Sequence, residues 1–413
     1  MLAPMTDAPE ASAAPDIFAP ARLGPLRLRN RIIKAATFEG VVPQGLVTDG
    51  LIDYHLGPAA GGVGMSTVAY CAVAPEGRTQ RGQLWMRPGV MPGLRRLTEA
   101  VHGAGAAVAL QLGHAGPVAD ARSNGVRALS PMGEFSPVSL RRNRAATAED
   151  LERVARAHAD AAWQAAEAGF DAVEIHLGHN YLASAFLSPR LNKRTDDYGG
   201  SLRNRARFSL AIAAAVRRKV KDRIAVTAKL NMTDGVRGGL SVEDSLQVAA
   251  WLQEAGSVDA LTLTAGSSLL NPMYLFRGGA PVKEFAARFP QPQRLGIRLA
   301  GRSFLRAYPY EPLFLLEHAR RFRRELTLPL VLLGGVTDRA GMDRAMAEGF
   351  EFVAMARALL REPGLIHRIR ADSATRSLCT HCNRCMPTIY TGTHCPLIPA
   401  PHRHPLPADP RAT

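Results

Sequence analysis

Short runs of β-branched and aliphatic residues alternate with amphipathic stretches from about residue 30 to residue 370, and the alternation repeats eight times. The runs cover 30–37, 64–73, 106–114, 171–178, 223–231, 258–266, 328–336 and 350–357. Most are almost continuously apolar, as expected of parallel strands covered by helices. Between them, Thr147 precedes Asp150 by three positions and Ser241 precedes Asp244 in the same way. Each hydroxyl can cap free helix amides while the carboxylate sits in the first turn. Gly169, Gly256 and Gly349 fall just ahead of the fourth, sixth and eighth runs, where glycine suits a left-handed helix C-cap. Eight strand-helix units in series predict an α/β protein, a single (β/α)8 TIM barrel over residues 17–370. Residues 1–16 read as a flexible lead-in and 371–413 as a cysteine-containing C-terminal tail. Two connections, 115–146 after the third strand and 267–310 after the sixth, are too long for plain turns. Both leave the C-terminal ends of strands, where barrels keep their active sites, so they are expected to form lids over a pocket.

Composition agrees with a large globular domain. The chain has 413 residues, 46% apolar and 21% charged, ample for one barrel with insertions. A formal charge of +15 raises nucleic acid or an anionic membrane as partners. The arginines are scattered, however, as at Arg217-Arg218 and Arg320-Arg321, and no basic stripe interleaves with aromatics. The excess therefore reads as solvated surface that steers anionic cofactors and substrates, and no nucleic-acid partner is expected. No run of eighteen apolar residues occurs, which argues against a membrane span. Residues 1–15 lack the basic and apolar regions of a secretory signal, so a cytoplasmic protein is expected. A homo-oligomer is expected as well, although the sequence does not specify its order.

Polar side chains gather at strand ends. Gln111 and His114 follow the third strand, His176 and His179 the fourth, and Lys229 lies in the fifth. Two imidazoles and the Tyr181 phenol thus leave the barrel mouth within six positions. Paired donors can hold a carbonyl oxygen or phenolate, and a phenol can deliver a proton. A metal site would need a third ligand, and no HExxH-like partner is present. Lys229 needs an anionic or electron-rich partner inside an apolar barrel, either a cofactor or a carboxylate such as Glu174. Gly335 at the end of the seventh strand and Ala356 with Arg357 at the end of the eighth fit the phosphate cup that barrels build there. Four of the five cysteines, Cys379, Cys382, Cys385 and Cys395, lie together near the C-terminus. In a chain without a secretory signal, that grouping suggests metal or cluster ligation before disulfides.

These residues in this order resemble the Old Yellow Enzyme, or NADH:flavin oxidoreductase, family. The segment from Arg194 through Asp196, Asp197, Tyr198, Gly199, Gly200 and Ser201 to Asn204 and Arg205 carries the most specific likeness. Asn30-Arg31, Gln111 with His114 and Gly116, and the His176, His179, Tyr181 trio support it. The resemblance implies FMN held by Ala35, Ala36, Thr37, Phe38, Gln111, Lys229, Gly335, Ala356 and Arg357, with either Thr37 or Phe38 facing the C4 oxygen. It implies hydride supply by NADH or NADPH and a small alkene as acceptor, with His176 and His179 on the activating oxygen and Tyr181 protonating the α carbon. Two departures stand out: Lys229 replaces a common arginine, and Pro117 replaces another. The tail is vaguely similar to that of the 2,4-dienoyl-CoA reductase branch, which carries an iron-sulfur cluster. Here the gaps are two, two and nine residues, whereas that branch has three residues in the second gap and a longer final one. Thiols packed without metal are therefore expected ahead of a cluster or zinc, and an iron-sulfur-assisted reductase remains the alternative.

Overall fold

A computed structural model describes residues 14–399 except 137, 138 and 292, so most of the lead-in and residues 400–413 lie outside the description. The eight expected strands form β1 (Ile32–Lys34), β2 (Met65–Ala72), β3 (Ala107–Gly113), β4 (Ala172–Leu177), β5 (Ala225–Asn231), β6 (Ala260–Thr264), β7 (Leu330–Leu333) and β8 (Phe352–Met355). They close into a parallel barrel in sequence order, with Val353 of β8 opposite Ile32 of β1. Every strand is shorter than its apolar run. The flanking residues lack a ladder partner and turn away, as at Gly334 and Gly335, whose φ angles are +103° and +85°. Thr147 and Asp150 form the reciprocal cap expected for helix Ala148–Glu167, and Ser241 caps helix Val242–Glu254.

Side-chain parity organises the barrel. Outward positions such as Leu110, Val173, Ile175, Val226 and Leu261 are buried in the large core beneath the helices. Inward positions near the strand starts are small: Ala109, Ala172, Ala225 and Ala260 pack with Phe352 and Val331. An unforeseen hairpin, Ala21–Leu23 with Leu26–Leu28, plugs this end by adding Ala21, Leu23 and Leu28 to the same cluster. Its tight turn uses Gly24 at φ +56°, where a Cβ would meet Asp259 at 2.5 Å. Inward positions further along are polar, so the chemistry collects at the opposite end.

Both long connections lie at that end. Residues 115–146 hold a short helix, Ala121–Asn124, and small two-stranded ladders. Residues 267–310 hold helices Pro272–Phe276, Val282–Ala286 and Gln293–Phe304. The tail returns to the mouth as well: Thr393 N–H donates to Glu39 O at 2.7 Å, and His381 stacks on Tyr310. Among the described residues no helix is long and apolar enough to cross a membrane.

Candidate active site

Strand register builds the site's electrostatic hub. Glu174 in β4 stands opposite Gln111 in β3 and Thr227 in β5, while Lys229 stands opposite His176 and Thr262. The Glu174 carboxylate accepts from Gln111 Nε2 at 2.7 Å and from Thr262 Oγ1 at 2.9 Å. Lys229 Nζ lies 3.1 Å from the same carboxylate, and both partners are buried. Gln111 spends its amide nitrogen on this hub and keeps its carbonyl oxygen for other partners. Of the two partners anticipated for Lys229, the carboxylate is present, since the ammonium pairs with Glu174, and the residue also lines the large cavity at the barrel mouth.

That cavity holds about 1460 Å³ and brings together every residue singled out for cofactor or substrate: Ala35, Ala36, Thr37, Phe38, Gln111, His176, His179, Tyr181, Lys229, Gly335, Ala356 and Arg357. The loops at 115–146 and 267–310 line it, as expected of lids, and so do Met386, Ile389 and Tyr390 from the tail. Nothing in the tail's composition announced that contribution.

After β4 the chain makes a strained turn, with His179 and Asn180 both left-handed at φ 60° and 58°. Non-glycine residues hold such angles only where surrounding contacts enforce them. Here the His179 N–H donates to Asn231 Oδ1 at 3.1 Å, and Asn180 and Asn231 both donate to Asp234 Oδ1 at 3.1 Å. The turn presents three rings as one unit. Tyr181 stacks on His176 at 4.5 Å and 11°, and His179 meets His176 edge-on at 5.2 Å. Burial, then the neighbouring His179 and the Lys229 ammonium, pushes the His176 pKa well below its usual value, and burial with Lys229 lowers His179 to about 3. Both imidazoles are neutral at pH 7, whereas burial raises the Tyr181 pKa and keeps its phenol protonated.

Tautomers follow from the neighbours. His176 Nδ1 accepts from the Gly178 N–H at 3.3 Å, which leaves its proton on Nε2. His179 Nε2 lies 2.9 Å from Thr264 Oγ1. For His179 to donate from Nδ1, the Thr264 hydroxyl must donate to Nε2. Thr264, Asn231 and Asp234 thus orient the histidines, and sequence reasoning missed all three because they lie on other strands and loops.

A second buried network was also missed, although a lysine inside the apolar first strand signalled it. Lys34 Nζ donates to Thr67 O at 3.2 Å, lies 4.0 Å from Glu39 Oε1 and sits over the Tyr54 ring. Glu39 Oε1 also accepts from the Ala69 N–H at 2.7 Å and lies 3.1 Å from His55 Nε2. Tyr54 reaches the cavity wall through a 3.1 Å hydrogen bond with Thr37.

At the other end Arg357 lines both the large cavity and a second one of about 20 Å³. Its guanidinium donates to Arg277 O at 3.0 Å and to Asn383 Oδ1. Cys379, Cys382, Cys385 and Cys395 all line the smaller cavity. Lining one small cavity is a weaker condition than ligand register. Among the described residues no three His, Cys, Asp or Glu side chains are placed to share a single metal ion.

Residues 16–267, more than half of the chain, match the family described as NADH:flavin oxidoreductase / NADH oxidase. The chain belongs to this family. It is 52% identical over 391 residues to a 4,4'-dithiodibutanoate disulfide reductase of Rhodococcus erythropolis, an alignment covering 95% of this chain and 96% of that one. To an NADH oxidase of Thermoanaerobacter brockii it is 30% identical, over 84% of this chain and 50% of the relative. A 2-naphthoyl-CoA reductase complex shares the fold at a TM-score of 0.75 and 26% identity, over 89% of this chain and 54% of that one. The chain thus spans about half of the last two but nearly all of the Rhodococcus protein.

As a member of this family the protein is an FMN-dependent oxidoreductase, and the cavity's donor set fits that group. At one end Lys229 and the free Gln111 carbonyl suit the polar edge of a flavin ring. At the other, Gly335, Ala356 and Arg357 supply backbone and a cation of the kind a phosphate needs.

Proposed function

We propose that the protein reduces activated carbon-carbon double bonds with NADH or NADPH, at the face made by His176, His179 and Tyr181. The observation carrying this reading is the packed trio itself, two neutral imidazoles beside a protonated phenol. FMN, when bound, supplies two-electron hydride chemistry between nicotinamide and acceptor. The chain's own residues do the rest. His176 Nε2–H, with His179, holds the acceptor's carbonyl oxygen and stabilises negative charge developing there. Tyr181 donates the proton at the α carbon. Lys229 and Gln111, held by Glu174, fix the ring's polar edge, while the loops at 115–146 and 267–310 keep water out.

Two observations favour variants of this reading. The likeness to a disulfide reductase over nearly its whole length supports an organic disulfide as the two-electron acceptor at the same face. The four cysteines grouped round one small cavity keep a cluster-assisted reductase as the alternative, although among the described residues no three of them are placed to share one metal ion.

Purified protein should be yellow, release FMN and not FAD on denaturation, and turn over enones with NADH or NADPH. Loss of one oxyanion-type donor costs about 3 kcal/mol of barrier, so His176→Ala with His179→Ala should lower enone turnover far more than FMN content. Turnover of disulfides but not enones would transfer the proposal to the disulfide reading. Equal turnover by the double variant and the parent would remove the histidines from the site.

A further inference from the structure

The large cavity exceeds the roughly 300–1,000 Å³ of ordinary small-molecule pockets, and its outer part combines two kinds of wall. Phe276, Phe289, Ile297 and Tyr390 line an apolar side, while Arg78, Arg81 and Arg122 line the rim. The rim is stitched from two loops. Asp120 N–H donates to Thr79 O at 2.8 Å, Arg81 N–H to Ser123 Oγ at 3.0 Å, and Asn124 Nδ2 to Arg78 O at 2.7 Å.

Among the described residues no carboxylate forms an ion pair with these cations, and only Arg78 feels a nearby one, Glu76. Asp120 also lines the rim, but its Oδ1 accepts from the Arg122 and Ser123 amides at 3.0 and 3.1 Å. Glu76 is engaged by Arg153 at 2.6 Å. Arg78 partly serves the fold, since its Nε and Nη1 donate to Pro75 O and Arg81 O. Arg81 and Arg122 are exposed, and among the described residues their guanidinium groups have neither a hydrogen bond nor an ion pair. Like charges held together by backbone hydrogen bonds, at the mouth of an apolar corridor, are a preorganised receptor for an anion.

We propose that Arg81 and Arg122, with Arg78 behind them, form a carboxylate-recognising rim, so that the acceptor is an apolar-spined molecule with an anionic end. This rests on the acceptor site proposed above: the reacting bond lies at His176, His179 and Tyr181 and the carboxylate at the rim. The phosphates of the nicotinamide donor share the same chemistry and pass the same mouth, so the test separates the two sources.

The holoenzyme would be assayed with 4,4'-dithiodibutanoate and its dimethyl ester, and with a carboxylate-tailed enone and its methyl ester, in parent, Arg81→Gln and Arg122→Gln forms. A charge-assisted contact at an exposed site is worth up to about fivefold in affinity. The parent should favour each acid over its ester by about that factor in kcat/KM. Each variant should lower kcat/KM for the acid through KM, much more than for the ester, and the preference should fade at high salt. Equal parent activity on acid and ester would overturn the proposal. So would a variant that raises KM for NADH or NADPH and not for the acid, because the rim would then serve the donor. Titration with non-reacting 4-phenylbutanoate, followed by flavin absorbance, gives a readout independent of turnover. Weaker binding in both variants supports the rim even if neither acceptor class is reduced, a result that would sink the acceptor reading alone. Unaltered binding overturns the rim.

Discussion

Glu174→Gln tests the hub on which the site is built. In the parent the carboxylate carries the Lys229 charge at 3.1 Å and two hydrogen bonds, from Gln111 and Thr262, all in buried surroundings. Breaking a buried ion pair from one side costs about 3–5 kcal/mol, because the remaining charge stays desolvated. The Gln amide can keep its oxygen toward Lys229 and Gln111, which share Oε1, and turn its NH2 to Thr262 Oγ1, which can accept, so the main loss is the charge that balances Lys229. We expect flavin-free protein to lose about 3 kcal/mol in chemical denaturation. If Lys229 also faces the flavin's polar edge, the loaded protein should lose less, and the flavin's midpoint potential should rise because a negative charge next to the reduced ring has gone. For a two-electron couple 1.4 kcal/mol corresponds to about 30 mV, so a shift of tens of millivolts is the expected size. Unchanged stability would show that the pair does not hold the site together. A stability loss with an unmoved potential would confine Lys229 to the barrel and refute its place beside the flavin.

Tyr181→Phe should slow reoxidation of the reduced enzyme by enones by roughly 10²- to 10⁴-fold while leaving reduction by NADH or NADPH nearly intact, and equal slowing of both phases in stopped-flow traces would contradict the assignment. Acid should destabilise the fold through its buried imidazoles: burial lowers His158 to about 4 and, with Lys229, His179 to about 3, both below the usual 6.5. Their contribution is therefore complete above pH 6.5 and is lost as pH falls toward 3, so denaturation midpoints that do not drop between pH 7 and pH 4 would show these rings to be accessible. Cys382→Ser should leave flavin reduction by nicotinamide intact, because donor and flavin meet at the barrel mouth; stoichiometric iron and acid-labile sulfide in anaerobically purified parent, with activity lost in the variant, would favour the cluster-assisted reading.

The barrel was legible because the strands' outer faces are aliphatic and several helices carry their own caps, as at Thr147, Ser201, Ser241 and Asp338. Glu174 and Lys229 were visible as charges in apolar runs, and parity alone puts them on the inner face with His176. Orientation was not legible. The partner of His179 is Thr264, 85 positions away, and the strained turn at His179 and Asn180 depends on Asn231 and Asp234 in the next unit. Such contacts follow from barrel closure, which no local pattern encodes. The hairpin at 21–28 was missed because three-residue strands are too short for alternation to show. The cysteine spacing was visible, but the smaller cavity is also walled by Arg357 and Leu360 from beyond β8. Counting gaps along the tail could not reveal that the returning chain would set its cysteines against these barrel residues.

The interior charges explain why this mouth suits a cofactor that gains negative charge on reduction. Two buried lysines, Lys34 and Lys229, face two buried carboxylates, Glu39 and Glu174, and the buried histidines 55, 176 and 179 are neutral at pH 7. With both pairs ionised the inner groups sum to zero. The pairs are not equivalent, however. Burial pushes Lys34 down to about 8 against the pull of Glu39, and pushes Glu39 up to about 7 against Lys34. That pair lies near the point where one proton transfer discharges both members, whereas Lys229 lines the cavity with Glu174 held by two further donors. An anion arriving beside Lys229 also lies within the field of Lys34, since the two lysines repel one another and each feels Glu174. It would favour the ionised form of Lys34 and, through Tyr54 and Thr37, reach the same cavity wall from behind. The first-strand lysine thus belongs to the site's electrostatics without lining the cavity, which is why burial and ion-pair geometry, and not position at a strand end, had to reveal it.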